Sequence, residues 1–201
     1  MTMDPSPLIG SHVLLELLQP RHREIIRQLA RDERIWEFNK MLLIDDNFDK
    51  MYDDYFDTAL DKKLMGGQQS FVIRRLKDQA VIGMTRLYEI SQKDKSATIG
   101  YTWYIPSVWG KVYNKERKLL LLQHIFEGLK FMRAELRVAH QNLRSQKAVE
   151  KIGGIKEGIL RKHGYRNDGS IKHTVVYSIV DDEWPGVKEK LFQLIAEGEN
   201  D

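Results

Sequence analysis

Ile99-Gly100-Tyr101-Thr102-Trp103-Tyr104-Ile105-Pro106-Ser107-Val108-Trp109-Gly110-Lys111-Val112-Tyr113-Asn114 reads as a strand that runs through a loop into a helix. From Lys115 to Lys130, Leu119, Leu122, Phe126 and Leu129 form one stripe, widened by Leu120, Leu121 and Ile125, so the helix is expected to pack on a sheet. A helix start presents unpaired backbone N–H groups and the positive end of its dipole, which together suit a pyrophosphate. Gly110 permits close backbone approach, Lys111 adds a positive charge, and Asn114 is the expected N-cap. An ordinary strand-to-helix connection has the same features, so the stretch alone assigns no ligand.

Downstream, Ala134, Leu136 and Val138 alternate as a strand, and Ser145, Ala148, Val149 and Ile152 mark the inner face of a short helix ending at Gly153-Gly154. This strand-helix-strand-helix run adds a parallel element to the sheet. Asn142 is the expected N-cap, and Ser145 stands in the first turn with its hydroxyl on the inward face, available to a ligand; taken alone, the two residues are better read as local capping and a satisfied backbone group. Ile155 to Leu160 and Thr174 to Val180 are paired strands around a turn containing Asn167-Asp168-Gly169, and a last helix opens at Trp184-Pro185.

Upstream, Ser11 to Leu17 is a strand, followed after Pro20 by an amphipathic helix from Arg21 to about Phe38. A second helix carries Met51, Tyr52, Tyr55, Phe56 and Leu60 and stops before Gly66-Gly67. Ser70 to Leu76, Ala80 to Ser91 and Ala97 to Ile105 then form an antiparallel meander with short polar turns. The order predicts an α+β fold in one domain over residues 1–201, with free tails at about 1–7 and 197–201.

The 201 residues are 42% hydrophobic and carry a formal charge of +3, which suits a folded domain and gives no support to nucleic-acid binding. Cys is absent, removing thiolate nucleophiles, disulfides and Cys-based zinc sites. His12, His22, His124, His140, His163 and His173 lack metal-ligand spacing, so no metal is expected. Residues 1–7 lack the character of a secretion signal, and no apolar run approaches the ~18 residues of a membrane span. A soluble, cytoplasmic protein without membrane contact is the expectation. Among the titratable groups, Glu89 near the end of a central strand and His163 beside the Glu157-Gly158 strand are the candidate bases.

In order and spacing, Ile99-Gly100-Tyr101-Thr102-Trp103, Asn142-Leu143-Arg144-Ser145-Gln146-Lys147-Ala148-Val149-Glu150-Lys151-Ile152-Gly153, Glu157-Gly158-Ile159-Leu160-Arg161 and Val176-Tyr177-Ser178-Ile179 with Glu183-Trp184-Pro185 resemble the GCN5-related N-acetyltransferases (GNAT), in the RimJ/RimL-like branch that acetylates protein N-termini on ribosomes. The resemblance covers nearly the whole chain. It implies a mixed, twisted sheet splayed near its middle and flanked by helices, with acetyl-CoA as cosubstrate in the opening and no metal. The family's phosphate loop, Arg/Gln-x-x-Gly-x-Gly/Ala, is reduced here to one glycine in Trp109-Gly110-Lys111-Val112-Tyr113-Asn114.

By the same similarity, Trp103, Tyr104, Ile105, Gly110, Lys111, Val112, Tyr113, Asn114, Asn142 and Ser145 are the expected acetyl-CoA contacts. A backbone N–H near Trp103 to Ile105 would stabilise the oxyanion, and Ser145 would protonate the leaving thiolate. The carboxylate that some relatives place after the Glu-Gly strand is not matched, Gly164 standing nearest with His163 beside it. The base is therefore open among Glu89, His163 and a water relay. The expected acceptor is a primary amine, with the α-amino group of a protein as one candidate; a small amine such as an antibiotic or polyamine, or a non-catalytic acyl-CoA-binding module, are the competing readings.

Overall fold

Val13 and Leu15 alternate with less buried neighbours along their strand, whereas Gln68 to Ile73 and Val81 to Leu87 are buried without interruption. Strands of the second kind must be covered on both faces. The computed structural model, which describes residues 6–38, 40–64 and 67–198, has that arrangement. The strands are β1 (Leu8–Ile9), β2 (Val13–Leu17), β3 (Gln68–Arg75), β4 (Val81–Ser91), β5 (Ser96–Tyr104), β6 (Arg133–Ala139), β7 (Ile155–Tyr165) and β8 (Ile171–Val180). They form one eight-stranded sheet in the order β1-β2-β3-β4-β5-β6-β8-β7. The helices are α1 (Arg23–Ala30), α2 (Phe48–Leu64), α3 (Tyr113–Gln123), α4 (Leu143–Glu150) and α5 (Trp184–Gly198).

The two faces carry separate cores. On one, Leu119, Leu121, Leu122 and Ile125 pack with Phe71, Ile99, Leu136, Tyr177 and Leu191. On the other, Ile26, Trp36, Tyr52, Tyr55 and Phe56 from the α1–α2 region pack with Val72, Met84 and Trp103. Adjacent strands pair antiparallel except β5 and β6, whose parallel register covers only Ser96↔Arg133 to Ile99↔Leu136. From Gly100 to Tyr104, β5 has β4 alone as its partner among the described residues. The sheet is therefore mixed and splayed in its middle, as expected.

Five local expectations need correction. The helix expected from Arg21 to Phe38 is α-helical only over Arg23–Ala30 and continues as a 3₁₀ turn at Glu33–Trp36. There the Asp32 side chain accepts from the Arg34 amide, and the Trp36 indole donates to the Ala30 carbonyl at 2.7 Å, folding the chain back before another α turn forms. The helix expected from Lys115 to Lys130 begins at Tyr113 and becomes a π-helical turn over His124–Gly128. Asn114 is consequently inside the first turn, where its Oδ1 accepts from Arg117 Nη2 at 2.9 Å, and Val112 is the cap position. β7 extends beyond Leu160 to Tyr165 through a register shift between Leu160 and Gly164. Of the expected tails, 1–5 and 199–201 lie outside the described residues, while Glu197 and Gly198 belong to α5.

Glu116 ties α3 to the start of the sheet. Its buried carboxylate accepts from the backbone amides of Ser11, His12 and Val13 at 2.7, 2.8 and 2.7 Å. Gly10 lies flush against it, where a Cβ would collide with the carboxylate. Charge-assisted bonds of this kind are worth about 1.5–3 kcal/mol each. Glu116→Gln, which retains one acceptor and turns an amide donor toward donors, is expected to lower unfolding free energy by at least one such bond, measured as a fall in the urea midpoint with the slope unchanged.

Candidate active site

Where β5 and β6 part, the sheet opens into a cleft of about 1500 Å³. Its walls come from β4, β5, β6, α3, α4, the β7–β8 hairpin and the α1–α2 region. Trp103, Tyr104, Gly110, Lys111, Asn114, Asn142, Ser145, Glu89 and His163 all line it. Ile105, Val112 and Tyr113 do not. The Ile105 amide is occupied by the Ile82 carbonyl at 2.9 Å, Val112 is buried in the core beneath α3, and Tyr113 lines a separate shallow depression with His12 and Arg75.

At the α3 end, Val112 stands at the cap position and no side chain among the described residues caps the helix, so its first amides lack the partner that a Ser, Thr or Asp would give. Gly110 has φ +80°, a conformation that side chains rarely adopt, and the space over it is open. Trp109 donates its indole N–H to the Tyr104 carbonyl at 3.0 Å, and the Arg144 guanidinium lies 4.3 Å from its ring centre. This stack joins the loop before α3 to the first turn of α4. Lys111 lines the same end.

In α4, Asn142 Oδ1 accepts from the Ser145 amide at 2.9 Å, the expected capping bond. The Ser145 hydroxyl, by contrast, has no hydrogen-bond partner among the described residues and lines the cleft. Across the cleft, Glu89 is held by Arg137, its two carboxylate oxygens accepting from Nη1 and Nη2 at 2.9 and 2.7 Å. His163 Nδ1 lies 3.0 Å from Thr174 Oγ1. The ring is largely exposed; slight desolvation, with Lys172 and Arg137 nearby, moves its pKa below the usual 6.5, favouring the neutral ring.

Three buried residues at the cleft escaped the sequence reading. Arg117 reaches Thr85 Oγ1 at 3.5 Å as well as Asn114, and Lys118 Nζ donates to the Ala148 carbonyl at 2.6 Å, joining α3 to α4. Arg86 lies between the rings of Tyr55 and Tyr101. The signal for the α3 pair was available: Lys115-Glu116-Arg117-Lys118 precedes an unbroken run of leucines, leaving the helix without an exposed polar face to hold all of those charges. For Arg86, within an otherwise apolar strand, no local pattern distinguished it.

The acetyltransferase (GNAT) domain family matches residues 12–155, and the chain belongs to that family. YdaF of Bacillus subtilis (strain 168), provisionally named a ribosomal N-acetyltransferase, is 27% identical over 182 residues, covering 90% of this chain and 97% of that protein. A provisionally named acetyltransferase from T. thermophilus has a crystal structure 30% identical in sequence, with a TM-score of 0.82 over 96% of this chain and 98% of that one. Mycobacterium smegmatis RimJ, solved with CoA-disulfide, is 20% identical, with a TM-score of 0.78 over 94% and 93% of the two chains. The name of YdaF agrees with the RimJ/RimL-like branch, and the RimJ likeness shows the shared fold. Among the described residues, no helix is long and apolar enough to cross a membrane.

Burial pushes Lys118 down to about 7 from 10.5. Between those values the folded chain binds fewer protons than the unfolded one, so this group makes stability rise with pH from about 7 toward 10.5, and its full cost is present below 7. Lys118→Met removes that slope. The stability of the native protein relative to the variant is expected to increase by a few kcal/mol between pH 7 and 9.5, measured by urea unfolding of both at each pH.

Proposed function

We propose that the cleft binds acetyl-CoA and transfers its acetyl group to a primary amine, with the α-amino group of a protein as the acceptor class. The observation that carries this reading is the parting of β5 from β6 beside an uncapped helix start and an unpartnered serine hydroxyl. The residues suit the cosubstrate: the open space over Gly110 admits a phosphate to the α3 amides, with Lys111 and Arg144 as counter-charges. The name of YdaF and the RimJ/RimL resemblance support the acceptor class.

Bound acetyl-CoA supplies an activated thioester, and a free amine attacks such a carbonyl directly. No protein nucleophile is needed, and the lack of Cys is no obstacle. The chain must orient the two reactants, stabilise an oxyanion, take a proton from the amine and return one to the leaving sulfur. Ile105 gives its amide to β4; by strand alternation the Tyr104 amide turns to the parted side, which makes it the oxyanion donor in this reading. Ser145 is the proton donor to sulfur. His163 is the base in preference to Glu89, since its neutral ring is favoured and Glu89 is committed to Arg137.

Calorimetry with CoA tests the site. Binding should give heat and a melting shift, and Gly110→Val should weaken both because valine resists the positive φ. Silence with millimolar CoA would sink the reading. In turnover assays with N-terminal peptides, Ser145→Ala and His163→Gln are each expected to lower kcat by about 10²–10⁴-fold with CoA affinity retained. Glu89→Gln should cost far less. Unchanged turnover in Ser145→Ala would remove the hydroxyl from the mechanism.

A further inference from the structure

Arg86 is 2% exposed, lines the cleft, and makes no ion pair among the described residues. Its guanidinium lies 4.3 Å from the Tyr55 ring centre and 4.6 Å from that of Tyr101. Nη2 donates to the Tyr55 carbonyl at 3.3 Å, while Nε is buried with no hydrogen-bond partner among the described residues. A buried cation left without a counter-ion is costly, and cation–π contacts with two rings recover only part of its lost hydration.

The surrounding charges supply no anion for it. Glu89 is engaged by Arg137, and Asp54, which lines the same cleft, forms no ion pair with Arg86. Arg86 and Tyr55 stand on the face covered by α2, whereas the α3 helix start lies with the other core. The phosphate-binding end and this cation therefore serve different parts of the cleft.

Resting on the acetyltransferase reading, we infer that Arg86 is a specificity residue for the acceptor, receiving a carboxylate carried by the amine that is acetylated. A planar guanidinium fixed between two rings is preorganised for carboxylate oxygens, and the water-poor setting strengthens the bond. The same charge opposes a polyamine, whose second ammonium would meet a buried cation. The carboxylate belongs either to a small amino acid-like amine or to an acidic side chain near a peptide's free N-terminus.

The test uses amines of matched length in three charge forms: ω-aminoalkanoates of two to six carbons, their amides, and the corresponding diamines. Short peptides with Glu, Gln or Lys in the first two positions form a second arm, which separates the two sources. Binding to CoA-saturated protein is measured by calorimetry, and transfer by CoA release. The carboxylate members are expected to bind at least about tenfold tighter than their amides and more tightly than the diamines. Arg86→Met should abolish that preference with CoA affinity unchanged, and Arg86→Lys should keep part of it. Equal or tighter binding of amides or diamines, no binding in either arm, or an undiminished preference in Arg86→Met overturns the inference. The ligand series on the unaltered protein decides by itself if a variant fails to fold. Carboxylate-selective, Arg86-dependent binding without transfer of acetyl would count against the acetyltransferase reading and leave Arg86 standing as a carboxylate receptor. Transfer to neutral or cationic amines without carboxylate preference would do the reverse.

Discussion

The brevity of the parallel pairing between β5 and β6 governs the rest of the molecule. Four residues on each strand are in register, ending at Ile99 and Leu136, and the strands then separate. Parted strands expose backbone polar groups that a continuous sheet would satisfy, so the opening is sustained only where water or a ligand can reach it. β4 keeps hold of the free half of β5: Gly83↔Tyr104 and Met84↔Trp103 remain paired, and a Cβ at Gly83 would collide with the Trp103 carbonyl. A glycine on β4 thereby permits the close approach that holds β5 while β6 turns away.

α3 holds this arrangement from behind, through charged groups that the helix buries in consecutive positions. Glu116 binds the β1–β2 turn, Arg117 reaches β4 through Thr85, and Lys118 reaches the end of α4. Lys115, one residue earlier, donates to the Leu194 carbonyl of α5 at 2.9 Å. Helical geometry spreads four successive side chains around the axis by about 100° each, so they reach four different elements. Apolar residues at those sites would fill space without specifying which neighbour each must meet. The leucines beyond Lys118 provide the non-directional attraction to the sheet, and the charges fix its registration.

Periodicity revealed most of this fold because most elements are amphipathic at a single period. The meander, the α3 stripe, the Ser145–Ile152 face and the last helix all follow from spacing, and the Asn142 cap follows from its position before that face. Spacing does not report where an interaction at a distance interrupts a regular element. Trp36 folding back to Ala30 ends a helix that the apolar pattern would continue. Asn114 looks like a cap, yet its oxygen is taken by Arg117, whose guanidinium is buried where the apolar pattern gives no sign of a charge. Arg86 shows the same limit at the candidate site, since its partners come from α2 and β5, separated from it in sequence.

Backbone strain is distributed in a way that supports a functional cleft. Lys40, Gln79, Lys95 and Lys130 have positive φ in turns or connections, where such conformations are ordinary. Glu89, Tyr101 and Lys162 have φ of 51°, 52° and 51° inside β4, β5 and β7. Each falls at a break in register: Tyr88/Ser91 on β4, the Gly100-to-Trp103 interval on β5, and Leu160/Gly164 on β7. A non-glycine residue in this region costs about 1–2 kcal/mol, and nothing in a plain antiparallel ladder would select for it three times. The bulges re-aim the side chains on them or just after them: Glu89 toward Arg137, Tyr101 over Arg86, and His163 beside Thr174. All three side chains line the cleft. The strain is thus concentrated where strands abandon regular pairing and turn side chains to the opening, which ties the irregularities of the sheet to the lining of the cleft.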